Sequence, residues 1–262
     1  VIAPLKLEVI IVGDDPASHS YVRSKERTAS KIGILGETIH LEKTVDERLV
    51  LETISKLNKD PSVHGILVQL PLPDHISTAN VQEAIHPNKD VDCFHPVNLG
   101  RLFRGDPVFI PATPGGIMAI LKEYDVKTRG KNAVVIGRSD IVGKPMAHLL
   151  SSKGVDATVT LVHSRTKNIP EIVSRSDIVV AAVGIPHFVK GDWIKDGSVV
   201  IDVGINSIKD SSAKKGYTLT GDVDFSKAAE RASLITPVPK GVGPMTIAGL
   251  MENVVRAKEM LT

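Results

Sequence analysis

Residues 132–150 read N-A-V-V-I-G-R-S-D-I-V-G-K-P-M-A-H-L-L, and this stretch decides the fold. Ala133–Ile136 is a short, apolar, largely β-branched run, the pattern of a buried parallel strand. Gly137 ends it, Gly143 permits a close approach of backbone, and Pro145 is preset for a first helical turn. A helix starting there aims backbone N–H groups and its positive dipole end at the carboxyl edge of the strand, where a phosphate is stabilised. The dinucleotide fingerprint G-x-G-x-x-G is incomplete, because Ser139 stands in place of the second glycine. Taken alone, the junction also fits a plain strand–helix turn with no ligand.

The next strand narrows the choice. Ala157–Val162 is followed by His163-Ser164-Arg165-Thr166. NAD-binding folds usually end this strand in Asp or Glu, which holds the ribose 2′-hydroxyl. Here a hydroxyl and an arginine stand instead, with Arg138 after the preceding strand, and a guanidinium fork matches a phosphate dianion. The pattern favours NADP over NAD; the competing view is that both arginines are solvated surface charges.

Working outward, strand and helix patterns alternate along the whole chain, which implies an α/β fold of two lobes with a cleft between them, the second lobe a Rossmann-like doubly wound parallel sheet. In the first half Leu7–Gly13, Glu37–Leu41 and Gly65–Leu70 read as strands, and Ser18–Gly33, Glu47–Asn58 and Val81–Ile85 as helices. The first helix has apolar or small positions at Val22, Ala29 and Ile32. Residues 86–114 read as a long, proline-rich irregular stretch of the kind that carries function. Gly116–Tyr124 reads as a linking helix. In the second half Asp177–Val183 and Ser198–Val203 are strands that end at Gly184 and Gly204, Pro170–Arg175 and Gly191–Ile194 are short helical pieces, and Ile208–Gly216 is a polar surface loop. Thr246–Met260 closes the chain as a helix with Ile247, Leu250, Met251, Val254 and Val255 on one face.

Composition excludes several classes. The 262 residues suffice for one large or two ordinary domains. A formal net charge of +2, with no basic tract interleaved with aromatics, argues against nucleic acid. No apolar run approaches the roughly 20 residues of a membrane span. Cys93 is the only cysteine, which excludes an internal disulfide and a cysteine-based zinc site and fits a reducing compartment. His95 has no partners at metal-ligand spacing, so no metal is expected.

Candidate chemistry in the first half begins with Tyr21 and Lys25, four apart in Y-V-R-S-K and on one helix face. If partly buried, that lysine acquires a lowered pKa suited to proton transfer; spacing alone equally describes a solvated amphipathic helix. Gln69 interrupts the apolar run G-I-L-V-Q-L and needs a partner, ligand or backbone. Asp92, with Asp90 as its competitor, sits in a loop where a carboxylate either receives an amino-heterocycle or caps a turn. The segment 236–246, T-P-V-P-K-G-V-G-P-M-T, is a stiff, specially bent loop, either a wall for a planar ligand or a connector.

Y-V-R-S-K (21–25), G-I-L-V-Q-L-P-L-P (65–73), K-D-V-D-C-F-H-P-V-N (89–98), P-A-T-P-G-G-I (111–117), G-R-S-D-I-V-G-K-P (137–145), H-S-R-T (163–166), D-V-G-I-N (202–206), G-D-V-D-F (221–225) and P-V-P-K-G-V-G-P-M-T (237–246) together resemble one family, in order and over nearly the whole chain. It is the bifunctional methylenetetrahydrofolate dehydrogenase/methenyltetrahydrofolate cyclohydrolase family. The resemblance implies NADP-dependent oxidation of 5,10-methylenetetrahydrofolate to the methenyl form and hydrolysis of that product to 10-formyltetrahydrofolate, within one-carbon metabolism. It implies a folate-binding catalytic domain at 1–115, an NADP domain at 116–246 and a C-terminal helix, 247–262, returning to the first domain. It assigns catalysis to Lys25, with Tyr21 and Gln69 beside it, and folate binding to Tyr21, Gln69, Asp92, Pro239, Gly241 and Gly243. Cofactor binding falls to Gly137, Arg138, Ser139, Gly143, Ser164, Arg165, Gly184, Ile205 and Thr246. It further implies a homodimer in the cytoplasm; an organelle stays open, since the chain begins at Val1 and the family's usual N-terminal helix is not in it. The resemblance leaves a monofunctional NAD-dependent dehydrogenase and a non-catalytic binder as rivals. Three positions depart from the family pattern: Ala112 where Cys is common, Cys93 where Gly is common, and Lys240 in place of the usual Gly, which predicts backbone strain if φ is positive there.

Overall fold

The structure is a computed structural model that describes residues 4–213 and 216–261. The chain divides into two compact units, Val1–Ala112 with Ile247–Thr262, and Thr113–Thr246.

The first unit opens with β1 (Leu5–Val12), α1 (Pro16–Lys31), β2 (Ile34–Leu41), α2 (Glu47–Lys59), β3 (Gly65–Val68), α3 (Thr78–Ala84) and α4 (Pro96–Arg104). The strands form a parallel sheet in the order β2-β1-β3. Strand alternation separates two cores. Leu7, Val9 and Ile11 pack with Val22 and Ala29 of α1, while Ile10 and Val12 pack with Val50, Ile54 and Leu57 of α2. α1 starts where it does because the Asp15 carboxylate accepts the Ser18 N–H at 2.8 Å and Pro16 occupies its first turn. Its buried stripe is Val22, Lys25 and Ala29; Ile32 caps the helix and is exposed, contrary to the periodicity.

The irregular stretch expected at 86–114 is less irregular than its prolines suggested. α4 lies within it. Pro96 occupies its first turn, the His95 Nδ1 accepts the Val97 N–H, and Gly105 closes it at φ 83°. These prolines and glycines punctuate a helix rather than break one.

The second unit contains most of α5 (Ala112–Glu123), then β4 (Asn132–Ile136), α6 (Gly143–Ser151), β5 (Thr158–Val162), α7 (Ile169–Ser174), β6 (Ile178–Ala181), β7 (Val199–Asp202), β8 (Asn206–Lys209), β9 (Tyr217–Thr220), α8 (Phe225–Ala229), β10 (Leu234–Ile235) and the start of α9 (Val242–Leu261). Five strands form a parallel sheet ordered β10-β7-β6-β4-β5. The chain lays β5 on one side of β4 and then β6 on the other, so the topological switch point lies between β4 and β6. The loop expected at 208–216 is partly strand: β8 and β9 pair antiparallel, with Ile208 opposite Thr218. Its polar composition hid the pairing, and Lys214 and Lys215 of that stretch lie outside the described residues.

α9 starts earlier than expected, with Pro244 in its first turn. From 247 onward it belongs to the first unit, where Ile247, Leu250, Met251, Val254 and Ala257 enter the core. Val255 is 41% exposed, so Ala257 rather than Val255 completes the buried face. No helix among the described residues is long and apolar enough to cross a membrane.

Candidate functional site

Lys25 is the unusual residue of the first unit. A lysine is rarely buried without a partner, yet Lys25 shares the inward stripe of α1 and is only 7% exposed. Its Nζ donates to Gln69 Oε1 at 3.0 Å. Gln69 is fixed from both ends. Its backbone N–H donates to the Ile10 carbonyl at 2.8 Å, prolonging the ladder one residue past β3, and its Nε2 donates to the Leu70 carbonyl at 2.7 Å. The amide therefore can present only its oxygen to the lysine. Burial lowers the Lys25 pKa, and the negative charge of Asp92 acts in the opposite sense.

Asp92 and Asp90 have separate tasks. Asp90 is buried, and its carboxylate accepts the N–H groups of Phe94 (3.1 Å) and His95 (2.9 Å) and the Asn98 Nδ2 (2.8 Å). That carboxylate holds the turn into α4. Asp92 faces Lys25 electrostatically; burial pushes its pKa up to about 6, Lys25 pulls it down, and Asp90 adds a push upward. Cys93, next in the chain, sits at φ 61° with its Sγ donating to the Phe109 carbonyl. Tyr21 lies one turn before Lys25 on α1, partly buried, and desolvation raises its phenol pKa. His95 is occupied in capping α4, and among the described residues no three His, Cys, Asp or Glu side chains gather as a metal site.

One positioning residue escaped the sequence reading. Asn253 on α9 is buried, and its Nδ2 donates to the carbonyls of Val91 and Ile110, both at 2.8 Å. It braces the backbone immediately before Asp92. Its signal was a polar side chain in an otherwise apolar helical face.

The second unit gathers its candidates at the carboxyl ends of neighbouring strands. Gly137 and Arg138 follow β4, Ser164 and Arg165 follow β5, Gly184 follows β6, and Ile205 follows β7. Gly137 has φ +116°, and a Cβ there would lie 2.0 Å from the Ala182 carbonyl oxygen. A Cβ on Gly143 would lie 2.1 Å from the Gly137 oxygen. Both glycines are required for three backbone segments to meet at the switch point. The Ser139 hydroxyl accepts the N–H groups of Val142 and Gly143, closing the turn into α6 while keeping its own hydrogen to donate. After β5, the Thr166 hydroxyl accepts the His163 N–H and the His163 Nδ1 accepts the Arg165 N–H, which leaves Ser164 and Arg165 exposed. This backbone cradle, backed by arginines and lacking a carboxylate after β5, fits a phosphorylated dinucleotide.

The segment 237–241 is a tight turn in the same unit. A Cβ on Gly241 would lie 2.3 Å from the Pro237 oxygen, and Lys240 has φ +82°. Lys240 and Gly241 border a cavity of about 380 Å³ that Ile120, Tyr124, Leu234 and Met245 also line. The Thr246 hydroxyl is engaged with that of Thr113 at 3.0 Å and with the Val242 carbonyl.

A parallel sheet with a glycine-built switch point, joined in one chain to a buried lysine–amide pair, defines a dinucleotide-dependent α/β enzyme equipped for proton transfer. The comparisons with known proteins agree. Residues 2–92 match the tetrahydrofolate dehydrogenase/cyclohydrolase catalytic domain and residues 111–262 the NAD(P)-binding domain of the same family. The chain is 56% identical over 251 residues to the bifunctional protein FolD of Lactococcus lactis subsp. cremoris, spanning 96% of this chain and 85% of that protein. Among solved structures it is similar to the bifunctional FolD dehydrogenase/cyclohydrolase of Campylobacter jejuni (TM-score 0.91, 45% identity, 98% of this chain and 89% of that one). It is similar also to the Trypanosoma brucei FolD complexed with NADP and an inhibitor (TM-score 0.94, 42% identity, 98% and 87%). The chain belongs to the tetrahydrofolate dehydrogenase/cyclohydrolase family, and it is a bifunctional, NADP-dependent dehydrogenase and cyclohydrolase of folate one-carbon metabolism.

Proposed function

We propose that Lys25 is the proton-transfer group of the hydrolytic step, with Gln69 fixing its Nζ, Asp92 anchoring the pterin and Tyr21 stacking on it. Pro239, Gly241 and Gly243 contribute the further folate contacts. Gly137, Arg138, Ser139, Gly143, Ser164, Arg165, Gly184, Ile205 and Thr246 hold the dinucleotide, with Arg138, Ser164 and Arg165 at its 2′-phosphate. The observation that carries this reading is the buried Lys25 side chain, its Nζ held by an amide oxygen and its pKa lowered by burial.

In the hydrolysis, water adds to a methenyl carbon whose positive charge is shared by two nitrogens. The neutral Lys25 amine takes one proton from that water and gives it to the nitrogen that leaves as the ring opens, while the added hydroxyl loses its remaining proton to solvent as the formyl C=O forms. Burial supports the neutral form, and a cationic substrate beside it lowers the lysine pKa further. In the redox half, the nicotinamide supplies the hydride acceptor when bound. The cation formed from the one-carbon bridge is delocalised, so this half needs alignment rather than a strong base.

A homodimer acting in the cytoplasm completes the reading. Exposed apolar side chains near the hairpin, Ile208, Tyr217 and Leu219, suit a contact between copies, and light scattering at several concentrations tests it.

An absorbance assay for methenyl formation with NADP and NAD, run on Lys25→Met, tests the central role. Hydrolysis is expected to fall by about 100-fold or more while the oxidation stays within roughly tenfold. Normal hydrolysis in that variant refutes the assignment.

A further inference from the structure

Backbone groups that shape a binding edge need something behind them, and in the second unit that support is a pair of buried aspartates. Asp222 is fully buried. Its Oδ2 accepts the N–H groups of Val183 (2.6 Å) and Gly184 (2.9 Å). Its Oδ1 accepts the Ile185 N–H (3.0 Å) and the Asn206 Nδ2 (2.9 Å). One carboxylate thus ties the loop after β6 to the segment after β7. Behind it, the Asp202 carboxylate accepts the N–H groups of Gly204 (3.1 Å), Asp222 (2.8 Å) and Val223 (3.0 Å). A Cβ on Gly204 would lie 2.1 Å from Asp222 Oδ1, and one on Gly221 would lie 1.8 Å from Asp202 Oδ2, so glycine is what makes room for each carboxylate.

We propose that Asp222 is a positioning residue for the nicotinamide half of NADP, locking the Val183–Ile185 loop and the Ile205–Asn206 segment into one frame, with Asp202 fixing the backbone of Asp222 in turn. The inference rests on the reading of Gly184 and Ile205 as dinucleotide contacts. They follow β6 and β7, across β4 from the β5 turn assigned to the 2′-phosphate, which places them at the nicotinamide half. Four donors on one carboxylate specify both segments at once, which an amide cannot do: Asp222→Asn keeps the shape but turns an NH₂ group toward two of the donors. At the opposite edge of the sheet, Asp177 makes a comparable tie, accepting the Asn132 N–H at 2.9 Å and the Lys195 Nζ at 2.6 Å. It serves as a control that shares the tying role but not the location.

The test uses the full chain carrying Asp222→Asn or Asp177→Asn, with calorimetric binding of NADP and of 2′,5′-ADP, which has the 2′-phosphate but no nicotinamide. Asp222→Asn is expected to weaken NADP on the order of tenfold and leave 2′,5′-ADP within about twofold. In the nucleotide-free protein the amide hydrogens of 183–185 are expected to exchange roughly tenfold faster or more, with those of β4 unchanged. Asp177→Asn is expected to leave both affinities unchanged. Equal weakening of both ligands, or unchanged NADP affinity in Asp222→Asn, overturns the proposal. Failure of the unaltered chain to bind either ligand overturns the underlying dinucleotide assignment as well, a separate result. Should Asp222→Asn not fold, Asn206→Ala removes a single donor and is expected to weaken NADP by about threefold, again sparing 2′,5′-ADP; a loss shared by both ligands counts against the proposal.

Discussion

The two units build their sites from different materials. The first uses side chains that titrate: a buried lysine, an amide that fixes it and a carboxylate pushed up to about 6. The second uses backbone, with glycines where strands converge and serine, histidine and aspartate side chains tying the turns. Proton transfer needs a group whose charge is poised, which burial accomplishes. Holding a dinucleotide needs donors at fixed places, which backbone supplies once its conformation is forced. Damage to the first unit's site is therefore expected to appear in the chemistry of hydrolysis, and damage to the second in the dinucleotide.

The strongest way to break this contrast is Gly137→Ala. The added methyl meets the Ala182 carbonyl, a backbone atom that cannot swing aside, at a φ that disfavours alanine. Oxidation is expected to fall by about 100-fold or more through lost NADP binding, since a shift of even ~1 Å at such a contact is that costly. Hydrolysis is expected to stay within about threefold of normal. Parallel loss of both activities in a folded protein would show that the division of labour is wrong.

A smaller effect sharpens the dinucleotide half. Arg138→Gln combined with Ser164→Ala is expected to raise the KM for NADP by roughly 10- to 100-fold, the worth of charge-assisted hydrogen bonds to a phosphate, with the NAD value within about twofold. Equal effects on both dinucleotides would remove these residues from the 2′-phosphate.

The titrating half has a signature in stability. Burial pushes the Asp92 pKa up to about 6 in the folded protein from an ordinary carboxylate value of 3.8, so the folded state holds its proton more tightly than the unfolded chain. The stability this confers is present below the unfolded pKa and is lost as pH rises through about 6. Asp92→Asn, which cannot ionise, is therefore expected to be more stable than the native sequence by about 1 kcal/mol at pH 7.5, with the difference vanishing near pH 3.5. Urea melts at the two pH values measure it. An equal difference at both would mean that Asp92 ionises freely in the folded protein.

Much of this was readable in the sequence, and the exceptions have physical reasons. The strand at 133–136 and its glycine turn were legible because a buried parallel strand is a continuous apolar run and needs glycine where it meets its neighbour. α4 was hidden because Pro96 and Gly105, which look like breakers, are its start and stop signals. β8 and β9 were hidden because each is only four residues long and largely solvent-facing, so the alternation of Tyr217 and Leu219 with threonines is too short to stand out from a polar loop. Lys25 could not be separated from an ordinary surface lysine by spacing; its burial follows from β1, β3 and α1 packing together, a long-range consequence that the family resemblance anticipated and periodicity did not. Local pattern left Asp90 and Asp92 indistinguishable and only the resemblance chose Asp92; the physical distinction is that backbone N–H groups converge on Asp90.

The smallest expected effect falls on the two departures from the family's glycines, and it sets the materials of the two units side by side once more. Cys93 and Lys240 both stand at positive φ, 61° and 82°. Lys240 is exposed, so Lys240→Gly sheds left-handed strain of about 1–2 kcal/mol against a chain-entropy cost of about 0.4–1. A net gain near 1 kcal/mol is expected, visible as a rise in Tm of about 2–4 °C. Cys93 is fully buried in the core with its thiol on the Phe109 carbonyl, so Cys93→Gly relieves the same strain but leaves a cavity and an unpaired oxygen. Its Tm is expected to fall. The same substitution at the same sign of φ thus has opposite outcomes, decided by whether the side chain packs; a rise in Tm for both would mean that backbone strain outweighs burial even in the core beside Asp92.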